Sequence, residues 1–337
     1  MELSLLFGNE ALKSTLLGFA SKRAFPNAFM ISGAEGSGKS TAALLFAMAI
    51  ACEGDDRPCG KCSACRKISE GISPDVITVG LTKDRKTIGI ESVRQIIDSA
   101  YILPNDLDVK IYIIKEAEKL TDQAQNALLK IFEEGPSKVY FILLTSAPSR
   151  LLPTVRSRAP EIKTEVFADQ RLSELLISNV KKAAELNSKD SDAFKRIISA
   201  AGGSYGRALS ILEGKNKKTP KLIKKAENIV ALMAQKDVAR LQLALIEESG
   251  DRENYSSILS LLMNALRDLV LIKKGGDGDT VFYSDREEAY TLSGNFSINI
   301  LVRLCSILDE LYKDVTLTNI NVRTAAVIAS GRLADVL

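Results

Sequence analysis

Eight consecutive residues, Gly33-Ala34-Glu35-Gly36-Ser37-Gly38-Lys39-Ser40, carry the spacing G-x-x-x-x-G-K-[ST] of a phosphate-binding loop. The chemistry explains the residue types. Glycines at 33, 36 and 38 let the main chain bend so that its N–H groups converge on phosphate oxygens. A helix starting behind such a loop adds partial positive charge from its N-terminus. Lys39 would reach the β- and γ-phosphates and the Ser40 hydroxyl would ligate Mg2+. Glu35, Ser37 and Thr41 belong to the same binding stretch. The competing reading is a chance glycine turn, which the flanking elements decide.

A second cluster follows closely. Cys52, Cys59, Cys62 and Cys65 are spaced C-x6-C-x2-C-x2-C with Pro58 and Gly60 between them. Four thiolates at short spacing can surround one tetrahedral Zn2+ and leave no open ligand position, so the site would be structural. The alternative is four unliganded thiols in a surface loop. Cys305 stands apart in an apolar helical stretch and reads as a core residue. Histidine is absent, which removes histidine triads, histidine metal ligands and imidazole acid–base chemistry.

A hydrolysing phosphate-loop protein also needs a carboxylate at the end of a neighbouring strand to hold Mg2+. The run Ile111-Tyr112-Ile113-Ile114 is followed by Lys115-Glu116 where Asp-Glu is expected. An ammonium repels Mg2+. Glu116 remains as the one catalytic carboxylate, and Glu118 is displaced along the chain. The expectation is a chain that binds ATP or ADP, with weakened Mg2+ binding and weak or no hydrolysis. Two arginines are placed to meet phosphates: Arg158, after Leu151-Leu152-Pro153-Thr154-Val155, and Arg207, in Gly203-Ser204-Tyr205-Gly206-Arg207. A surface ion pair is the commoner fate of a single arginine.

The elements that must position these groups are legible from periodicity. Asn27–Ile31 reads as a buried strand, and residues 40–51 as a helix apolar nearly all round. Residues 9–22 have helical apolar spacing. Asp75–Val79, Val109–Ile114 and Val139–Thr145 read as buried strands. Between them lie helices at 89–100 and 121–134, the latter capped by Thr121 and stopped at Gly135-Pro136. Strands alternating with helices imply a mostly parallel sheet covered on both faces, an α/β fold with ligands at the carboxyl ends of the strands. The alternation stops near Lys163, and the rest is helical. Lysines 215, 217, 218, 221, 224 and 225 crowd a linker that runs into a helix and read as a solvated face. A polar Gly/Asp-rich stretch interrupts the helices around Lys273 to Thr280, and Lys83 to Lys86 reads as a charged turn.

The chain of 337 residues is 46% apolar, enough for two or three domains with their own cores. Its 45 basic and 42 acidic residues give a net charge of +3, too balanced to argue for nucleic acid. The first residues lack the pattern of a signal peptide, and no apolar run reaches the length of a membrane span. The expectation is a soluble, cytoplasmic protein with no membrane contact and reduced thiols.

The runs AEKLTDQAQNALLKIFEEGP, FILLTSAPSRLLPTVRSR and GGSYGRAL, together with the four-cysteine insertion after the loop, resemble the bacterial DNA polymerase III clamp loader. The resemblance covers residues 5–213 and is weaker beyond, where Thr318-Asn319-Ile320-Asn321-Val322 is the most family-like piece. It implies an AAA+ core over residues 1–164 with a zinc-binding insertion at 52–65. A helical lid over 165–214 and an all-α collar over 215–337 would follow. It implies a hetero-pentameric ring with gamma/tau and delta subunits that opens a sliding clamp and places it on primed DNA. Arg158 matches the trans-acting arginine finger of a Ser-Arg-Cys motif, with Ala159 in place of the cysteine. Thr145 matches sensor 1 and Arg207 sensor 2, while Leu6, Phe7 and Gly8 fall where the family contacts adenine. Lys115 and the run Gly206-Arg207-Ala208-Leu209 resemble the delta-prime type, and so does a chain ending at Leu337 without a tau-like tail. The alternative is the ATP-hydrolysing gamma/tau type. A nucleic-acid-binding switch unrelated to clamps would want more aromatic residues than the 6% present.

Overall fold

In the computed structural model the described residues are 3, 5–81, 85–214, 219–250, 252–275, 280, 282–283, 286–318 and 320–337. Lys83, Lys215, Lys217, Lys218, Asn319 and most of the Gly/Asp-rich stretch before Thr280 lie outside them. The chain divides into two compact units, residues 1–166 and 167–337.

Five strands form the centre of the first unit: β1 Ala28–Ser32, β2 Val76–Val79, β3 Lys110–Ile114, β4 Val139–Thr145 and β5 Glu161–Lys163. They pair in the order β2-β3-β4-β1-β5, and every pairing is parallel. Side chains alternate between the two faces. Phe29, Ile31, Ile111, Ile113, Ile142 and Leu144 join one core, with α1 Glu10–Lys22 and α2 Lys39–Ala51. The short α3, Ser63–Ser69, packs on the same side through Cys65 and Ile68. Ala28, Met30, Tyr112, Ile114, Phe141 and Leu143 join the other, under α4 Ile90–Ala100, α5 Asp122–Glu134 and α6 Pro153–Arg158. Burial on both faces is why the central strands read as unbroken apolar runs.

Three local features differ from the sequence expectation. Val76–Val79 is not fully buried, because it is an edge strand with one neighbour. β5 is too short to show a period, and α3 and α6 are only seven and six residues long. Thr121 caps α5 as expected, its hydroxyl accepting from the Ala124 N–H at 3.3 Å.

Among its described residues the second unit is all helical. Four helices, α7 Asp169–Asn179, α8 Lys181–Lys189, α9 Ser191–Ala201 and α10 Tyr205–Leu212, enclose a small core around Leu172, Leu176, Phe194 and Ile198. Six more, α11 Thr219–Gln235, α12 Val238–Glu248, α13 Arg252–Lys273, α14 Arg286–Gly294, α15 Ile298–Leu317 and α16 Val322–Ala334, enclose a larger one. The Asn264 amide of α13 donates to the Ser199 hydroxyl of α9 at 2.8 Å, linking the two groups. Helix α13 is long and apolar enough to cross a membrane by length and composition. Its Leu259, Leu262, Leu266 and Leu269 are buried in this helical core. Lys221, Lys224 and Lys225 of α11 are exposed, and Lys225 pairs with Glu248. Cys305 is half-buried against the larger core rather than inside it.

Candidate nucleotide site and cysteine cluster

Residues 33–38 connect β1 to α2 at the carboxyl end of the sheet. The loop begins by hanging from the neighbouring strand, with the Gly33 N–H donating to the Thr145 carbonyl at 3.1 Å. Gly33, Gly36 and Gly38 all take positive φ. Two of them are also closely approached. A Cβ at Gly33 would lie 1.7 Å from Thr164 Oγ1, and one at Gly38 would lie 2.7 Å from Leu6 Cδ1. Leu6 is buried against the loop, Phe7 is half-buried, and Gly8 turns through positive φ.

Lys39 opens α2 and folds its ammonium over the loop, donating to Gly33 O at 2.6 Å and Ala34 O at 2.7 Å. Burial pushes its pKa below the ordinary lysine value, against the pull of the Glu118 and Glu35 carboxylates. Ser40 and Glu35 are exposed, Thr41 is half-buried, and Ser37 is buried. The set comprises a loop bent through three positive-φ glycines, a lysine, a hydroxyl at the second helical position and a helix N-terminus. It fits a nucleotide di- or triphosphate.

Sequence reading missed what holds the loop in shape. Thr164, just after β5, donates from its backbone N–H to Ser32 O at 2.8 Å. Its hydroxyl reaches the same carbonyl at 3.1 Å and shares a 2.7 Å hydrogen bond with the buried Ser37 hydroxyl. Asn9 and Glu165 exchange two bonds, Asn9 N–H to Glu165 Oε2 at 2.8 Å and Glu165 N–H to Asn9 Oδ1 at 2.7 Å. These tie the segment after Leu6-Phe7-Gly8 to the far end of the sheet. Pairing between residues over 120 positions apart leaves no local pattern in a sequence.

Thr145 is fully buried, and its hydroxyl accepts from the Ala147 N–H at 3.1 Å. Lys115 is exposed just past β3, its N–H donating to Val79 O at 2.7 Å on the edge-strand side. Glu116 is exposed in a left-handed conformation. Glu118, read from the sequence as displaced, is returned toward the sheet by the turn that follows. Its carboxylate accepts from the Ser146 hydroxyl at 2.6 Å and the Ser146 N–H at 3.3 Å.

Arg158 is the last residue of α6, exposed, and bonded to the Glu133 carboxylate of α5, to Thr154 O and to Ser157 Oγ. Beside it Ala159 is fully buried, so that position is a packing element. The segment leading into α6 is fixed by Gln125, which is buried within α5. Gln125 Oε1 accepts from Leu152 N–H at 2.7 Å, and its amide donates to Leu120 O at 3.2 Å. A polar side chain inside an apolar helix face is the signal that would have found it. Arg207 lies in the second unit, in the first turn of α10, its N–H capped by Ser204 Oγ at 3.3 Å.

The four cysteines converge at the far end of α2. Their sulfurs all lie within 4.8 Å of one another. Cys52 follows the last residue of α2, and Cys62 caps α3 by accepting from the Cys65 N–H at 3.4 Å. The N–H groups of Lys61 and Cys62 point at Cys59 Sγ and lower its pKa to about 6, whereas burial pushes Cys65 and Cys52 up. Four sulfurs in mutual reach, with N–H groups aimed at them, suit a tetrahedral Zn2+ that takes thiolates. The metal there would cross-link the end of α2 to α3.

A five-stranded parallel sheet in this order, with a phosphate loop after its fourth-listed strand and helices on both faces, defines a P-loop protein of the AAA+ class. Residues 8–167 match the family described as DNA polymerase III, delta subunit. The chain is 31% identical over 265 residues to the tau subunit of DNA polymerase III from Bacillus subtilis, a match covering 77% of this chain and 45% of that one. It is 30% identical over 263 residues to the gamma subunit from Buchnera aphidicola, covering 73% of this chain and 71% of that one. The chain belongs to the family of DNA polymerase III clamp-loader subunits that includes gamma and tau. A gamma subunit-related protein of Thermotoga maritima aligns over 97% of this chain and 98% of its own, at 18% identity and a TM-score of 0.38.

Proposed function

We propose that this chain is the delta-prime-type subunit of the DNA polymerase III clamp loader. In this reading it is a cytoplasmic stator in a ring with gamma/tau and delta subunits, which loads a sliding clamp onto primed DNA. Its own loop binds ATP or ADP, and its catalytic contribution is Arg158, offered to nucleotide on a neighbouring subunit. Residues 165–214 act as the lid, with Arg207 as sensor 2, and residues 215–337 form the collar that joins the ring. Zn2+ at the four cysteines is structural.

The observation that carries this reading is Lys115 where the strand-end acid of a hydrolysing subunit belongs, combined with an exposed Arg158 at the end of α6. An exposed ion pair such as Arg158–Glu133 is worth about 1 kcal/mol or less, so the guanidinium exchanges a carboxylate for a phosphate at little cost. A finger arginine stabilises the charge of the transferring phosphoryl group and accounts for roughly 10³ to 10⁵ in rate. Arg158→Ala in the reconstituted complex should remove that factor at the site it serves while leaving assembly intact. Unchanged ATP hydrolysis by the assembled mutant complex would discard the mechanism.

The named relatives, tau and gamma subunits, favour a second reading in which this chain itself hydrolyses ATP. Turnover by the isolated chain separates the two. Brisk Mg2+-dependent hydrolysis that disappears in Lys39→Ala establishes the second.

A further inference from the structure

We propose that Glu118 supplies the carboxylate that faces the Mg2+ of a bound nucleotide, replacing the strand-end acid whose position Lys115 holds. The inference rests on the loop binding nucleotide.

The backbone makes the substitution feasible. After β3 the chain enters Glu116 with φ 51°, then a 3-10 turn over Ala117–Lys119. Lys119 N–H donates to Glu116 O at 2.8 Å and Leu120 N–H to Ala117 O at 3.1 Å, and the fully buried Ala117 anchors the turn. The turn folds the chain back, so a residue four positions past the strand stands beside the end of β4 rather than far from it. There the two Glu118 oxygens are held by the Ser146 N–H and hydroxyl.

Ser146 directly follows Thr145, whose carbonyl accepts from the first glycine of the phosphate loop. Carboxylate and loop are therefore suspended from the same strand end. The strand-end residues are disposed differently. Lys115 is exposed and its Cβ lies against Gly80 at the edge strand, while Glu116 is exposed past the end of β3. Among the carboxylates acting on Lys39, that of Glu118 is the leading one, ahead of Glu35 within the loop itself. An anion near the phosphate-binding lysine is unfavourable toward phosphate unless a cation lies between them, and Mg2+ is that cation. One side chain bonded to Ser146 on one side retains lone pairs for the metal or its waters on the other.

The test is titration of the full chain with a fluorescent ATP analogue, in Mg2+ and in EDTA. The wild-type chain should bind more tightly in Mg2+, by about tenfold or more. Glu118→Gln, which can still pair with both Ser146 groups, should keep its affinity in EDTA and lose the Mg2+ enhancement. Glu134→Gln, at the exposed end of α5, should keep the enhancement. A Glu118→Gln chain with full enhancement, or a wild-type chain that binds nucleotide equally with and without Mg2+, overturns the proposal. A wild-type chain that binds no nucleotide overturns the phosphate-loop reading beneath it. Mn2+ bound with ADP gives a second readout, since its resonance spectrum should change in Glu118→Gln and not in Glu134→Gln.

Discussion

Replacing Thr164 with valine keeps the volume beside Gly33 and deletes one hydroxyl. The Ser32 carbonyl retains the Thr164 N–H as a donor, so the loss falls on the Ser37 hydroxyl, which is buried and was paired at 2.7 Å. A buried polar group left unpaired costs about 1–3 kcal/mol. Ser37→Ala should cost less, about 0.5–1.5 kcal/mol, because the Thr164 hydroxyl still reaches Ser32 O. The double variant removes both hydroxyls and leaves nothing unpaired between them. It should therefore be no worse than Thr164→Val alone, a coupling of about 1 kcal/mol. Hydrogen exchange of the amides of residues 33–40 reads the local opening free energy directly, without requiring the two units to unfold together. Nucleotide affinity should fall in parallel, because the loop loses its fixed shape. Strict additivity of the two substitutions, or unaltered exchange in Thr164→Val, would refute the argument that Thr164 shapes the loop.

Two further outcomes can be measured on the same chain. Cys65→Ser should reduce bound zinc well below one ion per chain, and loss of zinc from the wild type should expose the amides of α3 to exchange, because that seven-residue helix is otherwise held only through Ala64, Ile68 and the half-exposed Lys67–Asp106 pair. Asp75 is fully buried at the start of the edge strand and accepts from the N–H groups of Asn105, Asp106 and Leu107. Burial alone would raise its pKa, but those donors and Lys110 outweigh it and hold the carboxyl below the ordinary value. Its contribution to stability is therefore complete above about pH 4, the value of an unfolded aspartate, and is lost as the pH falls through the lower folded value. Asp75→Asn should destabilise by about 1–3 kcal/mol at neutral pH, and the gap to wild type in chemical denaturation should close in acid.

The central strands of the first unit were legible because they are apolar on both faces, whereas the three-residue β5, with only Ile162 buried, was not. Val139–Thr145 and Lys110–Ile114 left no competing assignment. The phosphate loop was legible because its chemistry is local: three glycines, a lysine and a hydroxyl within eight residues. The cysteine cluster was legible for the same reason. Thr164, Gln125 and the Asn9–Glu165 exchange were not, since each acts across a turn or a crossover. Glu118 shows the limit most clearly. Counting along the chain moves it away from the strand end, and only a left-handed residue at Glu116, with no glycine to announce it, brings the side chain back.

Helix α2 is a strut with neither end loose. Its 13 residues span about 20 Å. At one end α2 emerges from the phosphate loop at Gly38, whose carbonyl accepts from the Ala42 N–H at 2.8 Å, and at the other Cys52 enters the sulfur cluster, where Cys65 Sγ lies 3.8 Å from Met48 O. Between them the shaft is almost wholly buried, from Ala42 to Ile50. A close-packed rod clamped at both ends does not absorb a displacement by fraying or bending. It transmits it. A shift of the loop around its ligand would thus be passed along the shaft toward the cysteine cluster some four turns away.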